Sequence, residues 1–201
     1  MKRLFSVLVI LVMLLVPVLS VAEATASYTH TNGQYTFQYP ATWTLLNKET
    51  ISTLMDMVED YGDEQLNDLM NTYGPMIRQT DMVMLINETG MANITIAAQE
   101  VGARLDADTL EAMAPFLVSQ LSATMDGLQF QNEGTVVTVK GNSCLLLEYG
   151  YELAGQMLYG AQLYVPGATS LYCLGYTCSD LNEYNDTSDE FYNLVSTLEV
   201  K

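Results

Sequence analysis

The chain has 201 residues, with 24 acidic and seven basic side chains and a formal net charge of −17 at pH 7. So negative a surface excludes nucleic acid, whose phosphates it would repel, and argues against adsorption to anionic lipid headgroups. It leaves room for a cationic partner or divalent ions, beside the plainer role of keeping a surface solvated in a salty exterior.

Lys2 and Arg3 precede an almost unbroken apolar run, Leu4 to Val16, which Pro17 interrupts before the small residues Ala22, Ala24 and Ala26. That is the layout of a secretory signal peptide, and the run is too short for an ordinary membrane span. Residues 1–26 are therefore expected to be removed, leaving 27–201 as one domain without membrane attachment; an uncleaved anchor is the competing reading. No cysteine stands just past the apolar run to accept a lipoprotein anchor. Loss of Lys2, Arg3 and Glu23 takes the net charge from −17 to −18. The expected location is extracytoplasmic, secreted or in the cell envelope.

Tyr35, Phe37 and Tyr39 alternate with Thr36 and Gln38, the period of a strand with one buried face, and Pro40 ends it. Trp43, the single tryptophan, follows as a plug at the strand's end. A helical insert spans about 49–79, with Leu54, Val58, Tyr61, Leu66, Leu69, Tyr73 and Ile77 at helical spacing and a division at Gly62–Asp63. "MVMLINE" and "ANITIAAQEV" read as two strands around a Glu88–Met91 turn. A helix over about 108–125 carries Leu110, Ala114, Leu117, Leu121 and Met125, with Asp108 and Glu111 as its capping box and Pro115 predicting a kink.

From Gly134 to Ser179 the chain reads as a meander, its first hairpin turning on Gly141-Asn142. Leu145, Leu147 and Tyr149 take one side of their strand and Cys144 and Leu146 the other; Tyr172, Leu174 and Tyr176 oppose Leu171 and Cys173 in the same way. A strand apolar on both sides needs a layer over each face of its sheet. The closing helix has Phe191, Leu194, Val195 and Leu198 as its stripe, with Thr187 and Glu190 as its capping box. The fold class is α+β: an α-β-α sandwich around a mainly antiparallel sheet.

An aromatic strand ending Tyr39-Pro40 with Trp43 three residues on resembles the opening of the PsbP-like and DcrB-like exported proteins. "VVTVKGNSCLLLEYGYELAGQ", "SLYCLGYTCSD" and "FYNLVSTLEV" resemble that family's later strand, glycine turn, strand, last strand and closing helix. The resemblance implies the α-β-α sandwich and a non-catalytic accessory or binding role, and brings no catalytic residue with it. The acidic helical insert at 49–79 departs from the family pattern.

Chemistry-bearing residues are sparse. His30, the single histidine, lies outside every predicted element and reads as a solvated residue of the terminal tail. Zinc would take about four nitrogen or sulfur ligands, yet there is no Cys-x-x-Cys or histidine pair. No glycine-rich loop precedes a helix, and Lys48, Arg78, Arg104, Lys140 and Lys201 are too scattered for a phosphate clamp. Cys144, Cys173 and Cys178 are odd in number; the latter two, five apart, point to opposite faces of a strand. A bridge between them needs a bulge or strand end, and buried thiols are the expectation.

Asp180 to Glu190 is dense in oxygen ligands but lacks the glycine and glutamate spacing of a calcium loop. Glu148 and Glu152 share one strand face, which fits ordinary alternation on a solvent-facing strand better than glycosidase chemistry. Met55, Met57, Met70, Met76, Met82 and Met84 read as core filling rather than as a groove. Sequons stand at Asn87, Asn93 and Asn185. The expected function is an exported, non-enzymatic domain that binds a protein or small ligand, with no cofactor, metal or catalytic residue assigned. A carboxylate-dependent glycan-acting enzyme and a calcium-stabilised scaffold are the alternatives.

Overall fold

A computed structural model describes residues 25–31, 33–61, 81–125, 127–153, 156–179 and 181–201. The aromatic alternation becomes strand β2 (Tyr35–Pro40), with Tyr35 and Phe37 buried, Thr36 half-buried between them and Gln38 exposed. β2 is sandwiched antiparallel between β1 (Thr25–Thr29) and β10 (Glu199–Val200). Trp43 donates its backbone amide to Pro40 at 3.0 Å, and the turn sets the indole into the main core, as its place after the strand predicts.

β3 (Thr44–Leu46) leads into α1 (Lys48–Tyr61), which Asn47 and Thr50 open by reciprocal bonds. The Thr50 amide donates to Asn47 Oδ1 at 2.9 Å and the Asn47 amide to Thr50 Oγ1 at 2.8 Å, a capping box in amide form. The rest of the helical insert, 62–80, lies outside the described residues, and with it the Gly62–Asp63 division and most of the predicted stripe.

β4 (Met82–Ile86) and β5 (Ala92–Glu100) form the expected hairpin, with Gly90 at φ 72 in its turn. The chain then leaves through α2 (Ala107–Thr124), β6 (Gln129–Val139), β7 (Asn142–Leu153) and β8 (Gln156–Pro166), and returns with β9 (Ser170–Cys178) beside β5. The result is a seven-stranded antiparallel sheet in the order β3-β4-β5-β9-β8-β7-β6. α3 (Leu181–Thr197) closes the chain before β10. Among the described residues, no helix is long and apolar enough to cross a membrane.

Three local expectations shift. α2 is capped by Asp106, whose carboxylate accepts from the Thr109 amide at 2.8 Å, so Asp108 falls inside the first turn rather than at the cap. The β6–β7 hairpin turns on Lys140 (φ 50) and Gly141 (φ 80), while Asn142 already pairs with Val139. Both central residues of such a two-residue turn need positive φ, which puts the glycine second. α3 begins at Leu181, so Thr187 lies inside the helix with its hydroxyl on that of Tyr176, and is not a cap.

β7 and β9 are buried on both faces, as their apolar runs predict. Leu145 and Leu147 pack against Leu110, Ala114 and Leu117 of α2. On the alternate positions, Cys144, Leu174 and Tyr176 pack with Phe191, Leu194 and Val195 of α3. Each leucine, valine and phenylalanine among them contributes about 1.5–3 kcal/mol by leaving water. Tyr35 and Phe37 belong to the same cluster as α3, so the small sheet shares the larger one's core.

Candidate functional site

The single histidine is part of the core's rim. His30 is 3% exposed, stacks on Tyr35 at 4.7 Å and 17°, and places Nε2 3.1 Å from Asp81 Oδ2. Its amide donates to the Tyr35 carbonyl at 3.0 Å, closing the β1–β2 hairpin. The expected solvated tail residue is thus a buried structural one. Nδ1 has no hydrogen-bond partner among the described residues.

All three cysteines are free thiols; Cys144 and Cys178 are buried and Cys173 is half-buried. Cys173 and Cys178 serve the clusters on opposite faces of β9, as their spacing predicts. Burial pushes the Cys144 and Cys173 thiols up to about 11. It also raises Tyr149 and Tyr164, beside which Gln162 lies. A group whose pKa rises on folding loses its proton first in the unfolded chain, so stability is full below about pH 8.5 and falls as pH climbs through 11. Urea midpoints at pH 8 and pH 10 should show that loss. A thiol reagent at pH 8 should label none of these cysteines in the folded protein and all three after denaturation; rapid native labelling would contradict the burial.

The open chemistry lies elsewhere, where tyrosines of α3 reach over β7 and β8. Glu148 and Glu152 share one face of β7, their Cα atoms roughly 13 Å apart along the strand. In register, Glu148 stands opposite Ala161, Gly150 opposite Tyr159, and Glu152 opposite Met157. Glu148 is half-buried rather than solvent-facing, because Tyr192 of α3 lies over it and donates its hydroxyl to Oε1 at 3.2 Å. Tyr184, also from α3, sits 6.2 Å from Tyr159 and 5.3 Å from Tyr176. Burial, then the Glu148 charge, pushes the Tyr184 hydroxyl up to about 12 and raises that of Tyr192 too. One carboxylate therefore acts on both rings.

Between the two acids lies Gly150, itself buried. Gly150 has no side chain, and a Cβ there would come 3.3 Å from the Met157 methyl. Met157 is 39% exposed and Tyr192 41%. No basic side chain among the described residues pairs with Glu148 or Glu152. Acids used for glycoside hydrolysis face each other across about 5–9.5 Å; these two run along one strand instead. The arrangement suits holding a positive charge against aromatic faces.

The remaining singled-out residues take other places. Residues 181–190 of the oxygen-rich stretch are the first turns of α3, not a loop. Met84 is buried and Met82 half-buried, as core filling predicts; Met70 and Met76 lie outside the described residues, as do the side chains of Met55 and Met57. Asn87 and Asn93 are buried, with no room for a glycan in the folded chain. Tyr159, Tyr184, Tyr192 and Met157 escape the sequence reading; the eight-residue step from Tyr184 to Tyr192 along the closing helix is the signal that could have found those two tyrosines.

No protein-family model matches the chain, and no curated protein matches it. Among solved structures it is similar to the cyanobacterial PsbP of Synechocystis sp. PCC 6803, at 13% identity and a TM-score of 0.56, over 94% of this chain and 99% of that one. It is similar to the Ran-binding protein Mog1p of Saccharomyces cerevisiae, at 9% identity and a TM-score of 0.52, over 89% and 96%. A Bacteroides thetaiotaomicron protein follows at 10% and 0.52, with 87% of this chain covering 48% of that one. The fold is PsbP-like.

Proposed function

We propose that the chain is an exported, non-enzymatic accessory domain that holds a protein or small ligand in the cell envelope or outside the cell. Residues 27–201 act as one domain, an α-β-α sandwich in which α2 and α3 cover opposite faces of the large sheet. The amino-terminal layout supports export. The PsbP-like fold supports an accessory role by analogy, since the similar yeast structure is that of a Ran-binding protein. One observation carries the binding reading: a half-exposed surface on which Glu148 and Glu152 share a strand face with exposed Met157 and Tyr192, with no basic partner for either acid among the described residues.

A photo-cross-linking residue in place of Met157, in the full exported chain expressed in cells, should trap a discrete partner. The same residue in place of Phe116, on α2 and 62% exposed, should not. Equal, diffuse labelling from both positions would discard the binding role.

A further inference from the structure

We propose that this surface docks a basic, extended segment of a partner protein, seating one lysine or arginine beside Glu148 and a second beside Glu152. The inference rests on the binding role just given and names its chemistry. Charge complementarity sets the sign: two carboxylates, neither paired with a basic group among the described residues, stand on a chain of net charge −17. The Tyr192 hydroxyl holds Glu148 in place, and the exposed Tyr192 ring beside it can take an ammonium or guanidinium group.

Spacing sets the shape. The acids stand four positions apart on the strand, roughly 13 Å, so an extended partner presents basic residues at matching positions i and i+4. Its residue i+2 then meets the exposed, adaptable Met157 side chain, whose methyl covers buried Gly150. The apolar surface continues past a free amine's reach. Met91 accepts from the Ser179 amide at 3.0 Å and Gln156 donates to the Ser179 carbonyl at 3.3 Å, which brings exposed Met91, Met157 and Leu181 to one end of the sheet. A second copy of the chain does not fit. Its basic residues beyond the signal are Lys48, Arg78, Arg104, Lys140 and Lys201, and no two are four apart.

The test uses the whole mature chain and a capped peptide, Lys-Gly-Phe-Gly-Lys, titrated calorimetrically at low salt, where surface charges are least screened. The wild type should bind it. Glu148→Gln with Glu152→Gln should weaken binding on the order of tenfold, and so should raising the salt to about 0.5 M. The Glu-Gly-Phe-Gly-Glu peptide should not bind. Glutamine keeps the shape of glutamate, so unchanged melting of the double variant separates lost binding from lost folding; Tyr192→Ala serves as the second variant, and it too should bind less.

Equal binding by the double variant overturns the proposal. So does lysine amide binding as tightly as the peptide, or self-association that the double substitution abolishes. In cells the two levels separate. A partner trapped equally by wild type and double variant removes this docking mode and leaves the accessory role, whereas no partner trapped by the wild type removes the role itself.

Discussion

Phe191→Ala is expected to lower stability by about 3–5 kcal/mol, the range for emptying a large aromatic site in a packed core. For a chain of this size that is a fall in Tm of roughly 6–20 °C. Phe191 is fully buried and stacks on Tyr176 of β9 at 5.5 Å and 21°. It belongs to the cluster that also takes in Tyr35 and Phe37 of the small sheet and Leu174 of the large one. Its loss therefore opens a cavity where three elements meet, and none can close it without leaving the others. Leu181→Ala is the control: it lies on the same helix but is exposed, and should cost no more than about 0.5 kcal/mol. Equal melting of the two variants would mean that α3 does not pack through its Phe191 stripe.

Why that stripe was legible, and other elements were not, follows from where the information sits. Phe191, Leu194, Val195 and Leu198 repeat at the helical period within eight residues, and β7 and β9 carry unbroken apolar runs; a local pattern suffices for both. β1, β3 and β10 are five, three and two residues long. Their existence depends on a distant partner: Glu199 pairs with Thr36, and Thr25 with Pro40 beside the presumed cleavage site. The error over His30 comes from the same source, since a residue in an unseen hairpin looks like tail. The start of α3 was misplaced because Asp, Asn and Ser favour caps and loops when alone. Here Tyr184 reaches Tyr159 and Tyr176 and recruits those residues into helix.

The acidic face was half legible. Two acids on one strand face can be counted from spacing. That Tyr192 arrives over Glu148 from 44 residues further on is a tertiary fact, and it converts a solvated carboxylate into a half-buried one.

Gly134→Ala tests the other face of the sheet, and two costs coincide there. Gly134 holds φ 125, a conformation side-chain-bearing residues rarely adopt, and a Cβ would stand 2.5 Å from the Cβ of Ala114 in α2. Backbone strain and overpacking together should cost roughly 2–4 kcal/mol, read from denaturant midpoints. The two parts separate in a double-mutant cycle. Ala114→Gly alone weakens the helix by about 1 kcal/mol but removes the atom that Gly134→Ala would strike, so the pair should cost less than the sum. The strain at φ 125 would persist in the double variant, because Asn132 Oδ1 pins this bend by accepting from the Gly134 amide at 3.0 Å and from the Thr135 hydroxyl at 2.9 Å. Strict additivity would place α2 further from β6. The Leu145 and Leu147 face would then lose the close approach that keeps it dry.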